Sequence, residues 1–325
     1  MQYRTLGRTG LNVSAIALGA GPVPQLMLAG QEQRAAQVVR HAIDCGINWF
    51  DTAATYSDGQ SESTLGQALA TLEARDAVHV ATKVRLLPER LGDIADEIRR
   101  TVAASLARLQ LPRVTLLQLH NSITRSRGDE PTSLTPADVL GEVLETFERL
   151  RDEGLVQWLG LTGIGQADAL REAINSGKFD AIQTPYSLAN PSAGQDVPDG
   201  FSEANYGNLI AACAHQQMGV FAIRVFAGGA LAGQPPSPHT YKTKVFPLDV
   251  YQRVQRRAAL FAEKFGSIMP LKELALRFAL SHEQIASAII GFSDCSQIDA
   301  AVAHAEVGPL PSPLFAQLRG MAGGW

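Results

Sequence analysis

The chain has 325 residues, of which 46% are hydrophobic and 18% charged, and its formal net charge is -4 at pH 7. This composition is typical of a folded globular protein and excludes a disordered or fibrous chain. No run of Lys or Arg is longer than two residues, so we expect neither nucleic acid nor an anionic membrane as a partner.

The three cysteines, Cys45, Cys213 and Cys295, are far apart and form no C-x-x-C pair. Their spacing predicts neither a disulfide framework nor a metal site. The N-terminal segment MQYRTLGRTG lacks the apolar stretch of a signal peptide, and no uncharged apolar run reaches about 18 residues. We therefore expect a cytoplasmic protein that does not enter a membrane.

Strand-like and helix-like segments alternate along the chain, after a short hairpin at residues 3–6 and 11–13. Eight apolar runs are predicted as strands: 15–19, 48–51, 78–83, 114–120, 157–162, 181–184, 220–224 and 287–291. Between them apolar residues recur at helical spacing, as in Ile94, Ile98 and Val102. Such alternation indicates parallel strands joined by crossover helices.

Eight strand and helix pairs predict an α/β fold of the (β/α)8 TIM barrel type, with residues 1–325 as a single domain. An open doubly wound sheet is the alternative, and it usually carries G-x-G-x-x-G after its first strand. Residues 19–24 lack the third glycine of that motif. Segments 190–205 and 228–248 are predicted as long loops after strands six and seven, on the C-terminal face.

Three polar residues, Asp51, Lys83 and His120, stand at the ends of successive predicted strands, and Tyr56 follows Asp51 by five residues. The C-terminal face is where barrel enzymes carry their chemistry. A tyrosine hydroxyl needs a neighbouring positive charge to exchange protons near neutral pH, and Lys83 can supply it. Asp51 can keep Lys83 ionised, and His120 can hydrogen-bond a carbonyl oxygen.

Each of these residues also has a structural interpretation. Asp51 can act as a loop or cap residue, Tyr56 as a packing aromatic, and His120 as a core or rim histidine. Lys83 at the end of a buried strand can alternatively be the Schiff-base nucleophile of an aldolase. Their joint occurrence at strand ends favours a catalytic site.

The chain resembles the aldo-keto reductases. The resemblance lies in RTLGRTGLNVSAIALG, in GINWFDTAATY followed by GQSESTLGQAL, in Lys83 and His120, and in ELALRFAL and AIIGFSDCSQI near the C-terminus. It covers nearly the whole chain and implies a barrel that binds NADP or NAD without a Rossmann glycine motif. It also implies that Tyr56 is the general acid, that Lys83 makes it more acidic, that Asp51 pairs with Lys83, and that His120 orients the carbonyl.

The resemblance further implies a set of cofactor-binding residues. These are Gly19, Asp51, Thr162, Gly163, Gln183, Tyr186, Arg224, Phe226, Gly228, Gly291, Ser293 and Gln297. Gln183 is expected to hold the nicotinamide carboxamide and Tyr186 to stack on the ring. Thr162-Gly163 replaces the usual Ser-Asn pair and resembles the galactose and related aldose dehydrogenase branch.

Two further departures from the family pattern concern the phosphates of the cofactor. Arg224 replaces part of the usual Ser-Pro-Leu segment, where it can contact the pyrophosphate or form a salt bridge at the barrel rim. Phe292 and Gln297 stand where NADP-selecting members often have Lys and Arg, and Asp294 lies between them. We therefore expect NAD to be used at least as well as NADP.

The predicted function is NAD(P)(H)-dependent interconversion of a carbonyl and an alcohol, with an aldehyde, ketone or aldose as substrate. The alternative is a noncatalytic cofactor-sensing protein resembling potassium channel beta subunits. The sequence does not predict an oligomeric state. The predicted pocket residues are Pro22, Leu26, Met27, Leu86, Leu87 and Asn121.

Overall fold

Eight parallel strands close into a barrel in chain order, in a computed structural model that describes residues 1–244 and 246–321. The last barrel strand pairs with the first, at Ala288 and Ile16 among other positions. The barrel strands are β3 (Ile16–Gly19), β4 (Trp49–Asp51), β5 (His79–Val84), β6 (Val114–Leu119), β7 (Val156–Thr162), β8 (Ala181–Pro185), β9 (Gly219–Ile223) and β10 (Ile285–Ile290). The predicted (β/α)8 barrel is confirmed, and every strand boundary lies within two residues of its predicted position.

Helices cover the outside of the barrel and connect the strands. They are α1 (Glu32–Asp44), α2 (Gln60–Thr71), α3 (Ile94–Leu109), α4 (Pro136–Asp138), α5 (Leu144–Asp152), α6 (Ala167–Asn175), α7 (Leu209–His215), α8 (Leu248–Phe265), α9 (Leu271–Leu280), α10 (Cys295–Glu306) and α11 (Ser312–Gly320). A π-helical segment, Val139–Val143, joins α4 to α5. Thr135 caps α4 in a reciprocal capping box with Asp138.

The N-terminal hairpin closes the lower end of the barrel, where the barrel strands begin. Its strands, β1 (Tyr3–Thr5) and β2 (Asn12–Ser14), are antiparallel. A side chain at Gly7 would lie 2.3 Å from the Gly219 nitrogen, so the hairpin turn presses directly against the start of β9. The buried side chains of Leu6 and Val13 pack into the barrel interior.

Side chains alternate between the inside and the outside of the barrel along each strand. The interior contains a lower apolar layer and, nearer the C-terminal ends of the strands, a polar layer. The apolar layer includes Ala17, Trp49, Ala81, Leu116, Ala181 and Phe221, with Trp158 packed against it. Two residues further along these strands, Asp51, Lys83, Gln118 and Gln183 form the polar layer, which places charged groups directly beneath the barrel mouth.

Two long connections lie at this mouth, as predicted. The chain between β8 and α7 contains no helix or strand among the described residues, but the chain after β9 forms a 3-10 helix at Ala227–Ala232. That helix was not predicted, and the positive φ of Gly228 and Gly229 allows its tight turns. None of the helices in residues 1–244 and 246–321 combines the length and apolar character needed to cross a membrane.

Candidate active site

A buried ion pair lies at the centre of the polar layer. Asp51 ends β4 and pairs with Ala81 on the neighbouring strand β5. Lys83 follows Ala81 by two residues, so the side chains of Asp51 and Lys83 both point into the barrel. Lys83 Nζ donates to Asp51 Oδ1 at 2.5 Å and to the carbonyl oxygen of Thr52 at 2.7 Å. The Lys83 side chain is 1% exposed and that of Asp51 4%, so the two charges neutralise each other in a nearly dry site.

The electrostatics of Lys83 favour its charged form. Burial lowers the pKa of Lys83, but the negative charge of Asp51 and the hydrogen bonds with Asp51 and Tyr56 outweigh burial. The pKa of Lys83 therefore lies above its ordinary value of 10.5. An ammonium group held in this way is a hydrogen-bond donor and a fixed positive charge, and it has no lone pair for nucleophilic attack.

Tyr56 brings a hydroxyl to this cation. A 3-10 helix, Tyr56–Gly59, follows β4, and Ser57 and Asp58 in it adopt left-handed backbone angles that turn the chain sharply. Lys83 Nζ donates to the Tyr56 hydroxyl at 3.4 Å and lies 4.8 Å from the ring centroid. Gly21 leaves space beside the ring, because a Cβ atom there would lie 3.8 Å from Tyr56 Cε2.

His120 lies next to Tyr56 at the end of β6. The two rings meet edge to face with centroids 5.7 Å apart, and Thr55 Oγ1 is 3.5 Å from His120 Nδ1. Burial and the positive charges of Lys83 and Arg85 lower the pKa of His120 well below its ordinary value of 6.5. The imidazole is therefore neutral at pH 7 and can donate one hydrogen bond without contributing a positive charge.

The second oxygen of Asp51 is held by two glutamines. Gln183 Nε2 donates to Asp51 Oδ2, and Gln118 Nε2 lies 3.4 Å from the same atom. The structure thus brings Gln183 into contact with Asp51. Gln118 was not predicted, although it follows the inward Leu116 by two residues on β6, which indicates that it also points inward.

Thr162 and Gly163 lie at the end of β7, beside Gln183. Thr162 is buried, and its hydroxyl has no hydrogen-bond partner among the described residues. Unpartnered buried hydroxyls are uncommon, and this one faces the polar layer, so it suits a ligand carboxamide that can donate or accept. Gly163 donates its backbone N–H to the Gln183 carbonyl at 2.7 Å, which keeps the two strand ends together.

Tyr186 is not brought to this cluster. It lies just beyond the end of β8, three residues after Gln183, and its ring packs away from the polar layer. Its ring is buried against Phe278 of α9, with centroids 5.4 Å apart, and against His282. The geometry therefore does not support the expected stacking of Tyr186 on a nicotinamide, and Ile223, two residues after the interior residue Phe221, is the inward side chain at the end of β9.

Arg224 and Phe226 follow β9, and Gly228 begins the second long loop. Arg224 has a left-handed backbone, with φ of 58°, and its guanidinium lies 3.4 Å from the Tyr206 hydroxyl and 5.4 Å from the Phe246 ring centroid. A Cβ atom at Gly228 would lie 3.6 Å from that same ring. Arg224 is thus positioned by aromatic side chains at the mouth.

Of the remaining predicted cofactor residues, Gly291 and Ser293 lie in the loop after β10, Gln297 lies in the first turn of α10, and Gly19 ends β3. Ser293 donates its backbone N–H to the Gln297 side chain at 2.9 Å, and Asp294 caps α10. Gly291 packs closely against Pro24, because a Cβ atom at Gly291 would lie 2.5 Å from the Pro24 ring. The pairing of β3 with β4 places Gly19 next to Asp51. The side chain of Arg34 on α1 donates to the Ser293 carbonyl at 2.8 Å, which adds a cation that the sequence pattern did not indicate.

Several predicted pocket residues are structural instead. Leu26, Met27 and Leu86 are buried in the main core, between the barrel and the elements that pack around the barrel. The amide of Asn121 donates to the Leu86 and Thr132 carbonyls and accepts from the Leu86 nitrogen. Asn121 therefore joins two loops. Arg85, which was not predicted, donates to the His120 carbonyl at 3.3 Å and adds a cation at the rim.

A (β/α)8 barrel with an ion pair, a phenol and an imidazole at its C-terminal mouth belongs to the class of barrel enzymes. A family model described as the aldo/keto reductase family matches residues 15–322. The chain therefore belongs to the aldo/keto reductase family, and it is an NAD(P)-dependent oxidoreductase. The resemblance predicted from the motifs is confirmed.

Relatives of similar length support this placement. The chain is 30% identical to D-threo-aldose 1-dehydrogenase of Pseudomonas sp over 95% of this chain and 94% of that protein. It is 28% identical to L-galactose dehydrogenase of Arabidopsis thaliana over 93% and 88% of the two chains. An aldo/keto reductase of Klebsiella pneumoniae, solved with NADP and acetate, has the same fold, with a TM-score of 0.68, 23% identity, and coverage of 99% and 96% of the two chains.

Proposed function

We propose that the chain interconverts a carbonyl and an alcohol by hydride transfer, with Tyr56 as general acid and base. One observation carries the proposal: the ammonium group of Lys83 lies between Asp51 and the Tyr56 hydroxyl, at 2.5 and 3.4 Å. A fixed cation at this position favours the phenolate that remains after Tyr56 has given up its proton. The noncatalytic alternative does not require such an arrangement.

The residues around the mouth have separate roles in the proposed reaction. A nicotinamide held at this mouth would supply or accept the hydride. Neutral His120 donates a hydrogen bond to the substrate oxygen, and the Tyr56 hydroxyl delivers its proton to that oxygen during carbonyl reduction. In alcohol oxidation the proton returns to Tyr56. Asp51 balances the charge of Lys83 throughout, so the nearly dry site never holds an isolated ammonium.

The residues present fit a nicotinamide cofactor. The unpartnered Thr162 hydroxyl and the Gln183 side chain would hold the carboxamide, while Ile223 would contact the ring from the apolar side. The absence of a side chain at Gly21 would leave space between the nicotinamide ring and the Tyr56 side chain. These placements rest on side-chain direction along the strands and on the unused hydrogen-bonding capacity of Thr162.

For the substrate we propose an aldose, oxidised at the carbon that bears the hemiacetal hydroxyl. The support comes from the two relatives named as aldose and galactose dehydrogenases and from Thr162-Gly163, which replaces the usual Ser-Asn pair. A panel of aldoses with NAD and NADP, and of aldehydes with NADH and NADPH, tests this by nicotinamide absorbance. Higher kcat/KM for simple aldehydes than for every aldose would contradict the aldose proposal.

The same panel includes a test of the covalent alternative. Treatment with borohydride and an aldehyde attaches the substrate to Lys83 if the residue forms a Schiff base. We expect no adduct, because Asp51 keeps Lys83 protonated. A stoichiometric adduct on the Lys83 peptide would instead identify a lyase.

We propose that NAD is used at least as well as NADP. Asp294 accepts from the backbone N–H of Gln297 and from the Ser296 hydroxyl, so its carboxylate is fixed at the start of α10. The additional phosphate of NADP, if placed nearby, would be repelled by this carboxylate and attracted by Arg34, whose side chain on α1 contacts the same loop.

The balance between Asp294 and Arg34 can be measured by steady-state kinetics. We expect kcat/KM for NAD to equal or exceed that for NADP in the unmodified enzyme. Asp294→Ser should raise NADP use relative to NAD, and Arg34→Gln should lower it. A strong preference of the unmodified enzyme for NADP, unaffected by Arg34→Gln, would rule out both the proposed preference and the role of Arg34.

A further inference from the structure

A cluster of metal-ligating side chains lies on the outside of the barrel, between α1 and α10. His41 is on the last turn of α1 and Cys45 follows its end, while Asp299 is on the first turns of α10. Single ligand atoms of His41, Cys45 and Asp299 all lie within 4.8 Å of one another. None of the three takes part in the proposed reaction.

Two of the three separations between these atoms are close to those around a small tetrahedral ion. His41 Nε2 is 3.7 Å from Cys45 Sγ, and Cys45 Sγ is 3.9 Å from Asp299 Oδ1. Zinc bonds of about 2.0 to 2.3 Å at tetrahedral angles separate ligand atoms by roughly 3.3 to 3.6 Å. The third separation, 2.6 Å between His41 Nε2 and Asp299 Oδ1, is a hydrogen bond that an ion would replace, with a small withdrawal of the carboxylate.

The residue types and their arrangement both favour this ion. A thiolate and an imidazole together are the ligands that zinc prefers, and a carboxylate is a common third. His41 and Cys45 are four residues apart and so lie on one face of the end of α1. Cys295 stands four residues before Asp299, facing the same cluster, and acts electrostatically on the Cys45 thiol.

We propose that His41, Cys45 and Asp299 bind a zinc ion that joins α1 to α10, with solvent as the fourth ligand. Burial and the negative charge of Asp299 raise the pKa of the Cys45 thiol, so binding displaces a proton from that thiol. The helices belong to the first and last barrel units, whose strands β3 and β10 are paired. The zinc ion therefore links the two helices that flank the β3–β10 pairing, where the barrel closes.

The spacing of the cysteines gave no indication of this cluster. Its members come from two helices more than 250 residues apart, Cys45 and Asp299 being separated by 254 positions. Only the closure of the barrel brings them together. Neither the cofactor nor the proposed hydride transfer is needed for zinc to bind. The zinc site and the proposed reaction are therefore tested independently.

Binding can be measured on the whole chain, freed of metal by a chelator and kept reduced. Titration with Zn²⁺ alone should show one ion per chain, and Co²⁺ in its place should show thiolate-to-cobalt charge-transfer absorption. At free Zn²⁺ about a hundredfold above Kd, the Tm should rise by about 5 °C. Absence of saturable binding, or a cobalt spectrum without thiolate absorption, would overturn the proposal.

Matched variants separate this site from adventitious binding. Cys45→Ser and Asp299→Asn should each weaken Zn²⁺ binding by about tenfold or more, as expected for loss of a direct ligand. Asp44→Asn removes the same charge next to Cys45 without removing a ligand and should change Kd by less than about threefold. Equal effects of Asp44→Asn and Asp299→Asn would show that only the general negative charge attracts the ion, against the proposal.

Discussion

The ammonium nitrogen of Lys83 lies 3.4 Å from the Tyr56 hydroxyl and 4.8 Å from the centroid of the same ring. The cation thus faces both the oxygen and the π electrons of one phenol, and both contacts hold Tyr56 in place. The edge-to-face contact with His120 orients the ring from the other side. The Tyr56 ring is therefore held from two sides.

Removal of the hydroxyl should abolish chemistry without disturbing the barrel. We expect Tyr56→Phe to lower kcat by between about a hundredfold and ten-thousandfold, the range for loss of a general acid, with little change in cofactor Kd. Tyr3→Phe is a matched control, because the exposed Tyr3 hydroxyl donates to the Gly46 carbonyl near the hairpin. A Tyr56→Phe enzyme within tenfold of the unmodified turnover would exclude Tyr56 as the acid.

Loss of one member of the buried ion pair should cost stability as well as activity. We expect Lys83→Met to lower the free energy of unfolding by about 3 to 5 kcal/mol, because the Asp51 charge is left without its cation. Adding Asp51→Asn to this variant should restore part of the stability and none of the activity. Denaturant unfolding of the two single variants and the double variant measures this coupling, and additive effects would contradict it.

His120 should make the protein less stable in acid. Its pKa is lowered in the folded state, so between 6.5 and the lowered value the unfolded chain binds more protons than the folded chain. Stability from this group is present above pH 6.5 and is lost as pH falls below it. The unfolding free energy of His120→Gln should therefore decline less on acidification, and identical pH profiles would disprove the assignment.

Much of this arrangement was predictable, because strand ends and apolar runs are local properties. Asp51, Lys83 and His120 stood out as polar residues that end buried strands. Gln118 was missed although the same alternation places it inward. Arg34 and the partners of Cys45 were beyond reach, since contacts between elements distant in sequence depend on how the barrel closes.

Two threonines offer a paired test of the cofactor site. Both Thr162 and Thr184 have buried hydroxyls without a partner among the described residues, but Thr184 follows the inward Gln183 and so points outward. We expect Thr162→Val to raise the Kd for NAD by about three- to tenfold, as for loss of one hydrogen bond. Thr184→Val should leave that Kd unchanged. Equal effects on binding would remove Thr162 from the site.

The contrast between Tyr186 and Ile223 can be tested in the same titrations. The buried Tyr186 hydroxyl has no hydrogen-bond partner within residues 1–244 and 246–321, so Tyr186→Phe should keep or slightly raise stability and leave cofactor binding unchanged. Ile223→Ala should weaken binding by several-fold through lost apolar contact, on the order of 1 kcal/mol. Weaker binding in Tyr186→Phe would restore the role predicted from the sequence.

The N-terminal hairpin that closes the lower end of the barrel has a consequence for how the chain folds. Arg4 donates to the carbonyls of Leu280 and Ile285, and its contact with Ile285 spans 281 positions. Contacts between residues so far apart in sequence form slowly, because the entropic cost of closing a long loop must be met before the contacts stabilise the chain. During synthesis the hairpin leaves the ribosome long before β9 and β10 exist. The hairpin residues are thus made long before the strands that they contact, and they are among the last to reach their native partners.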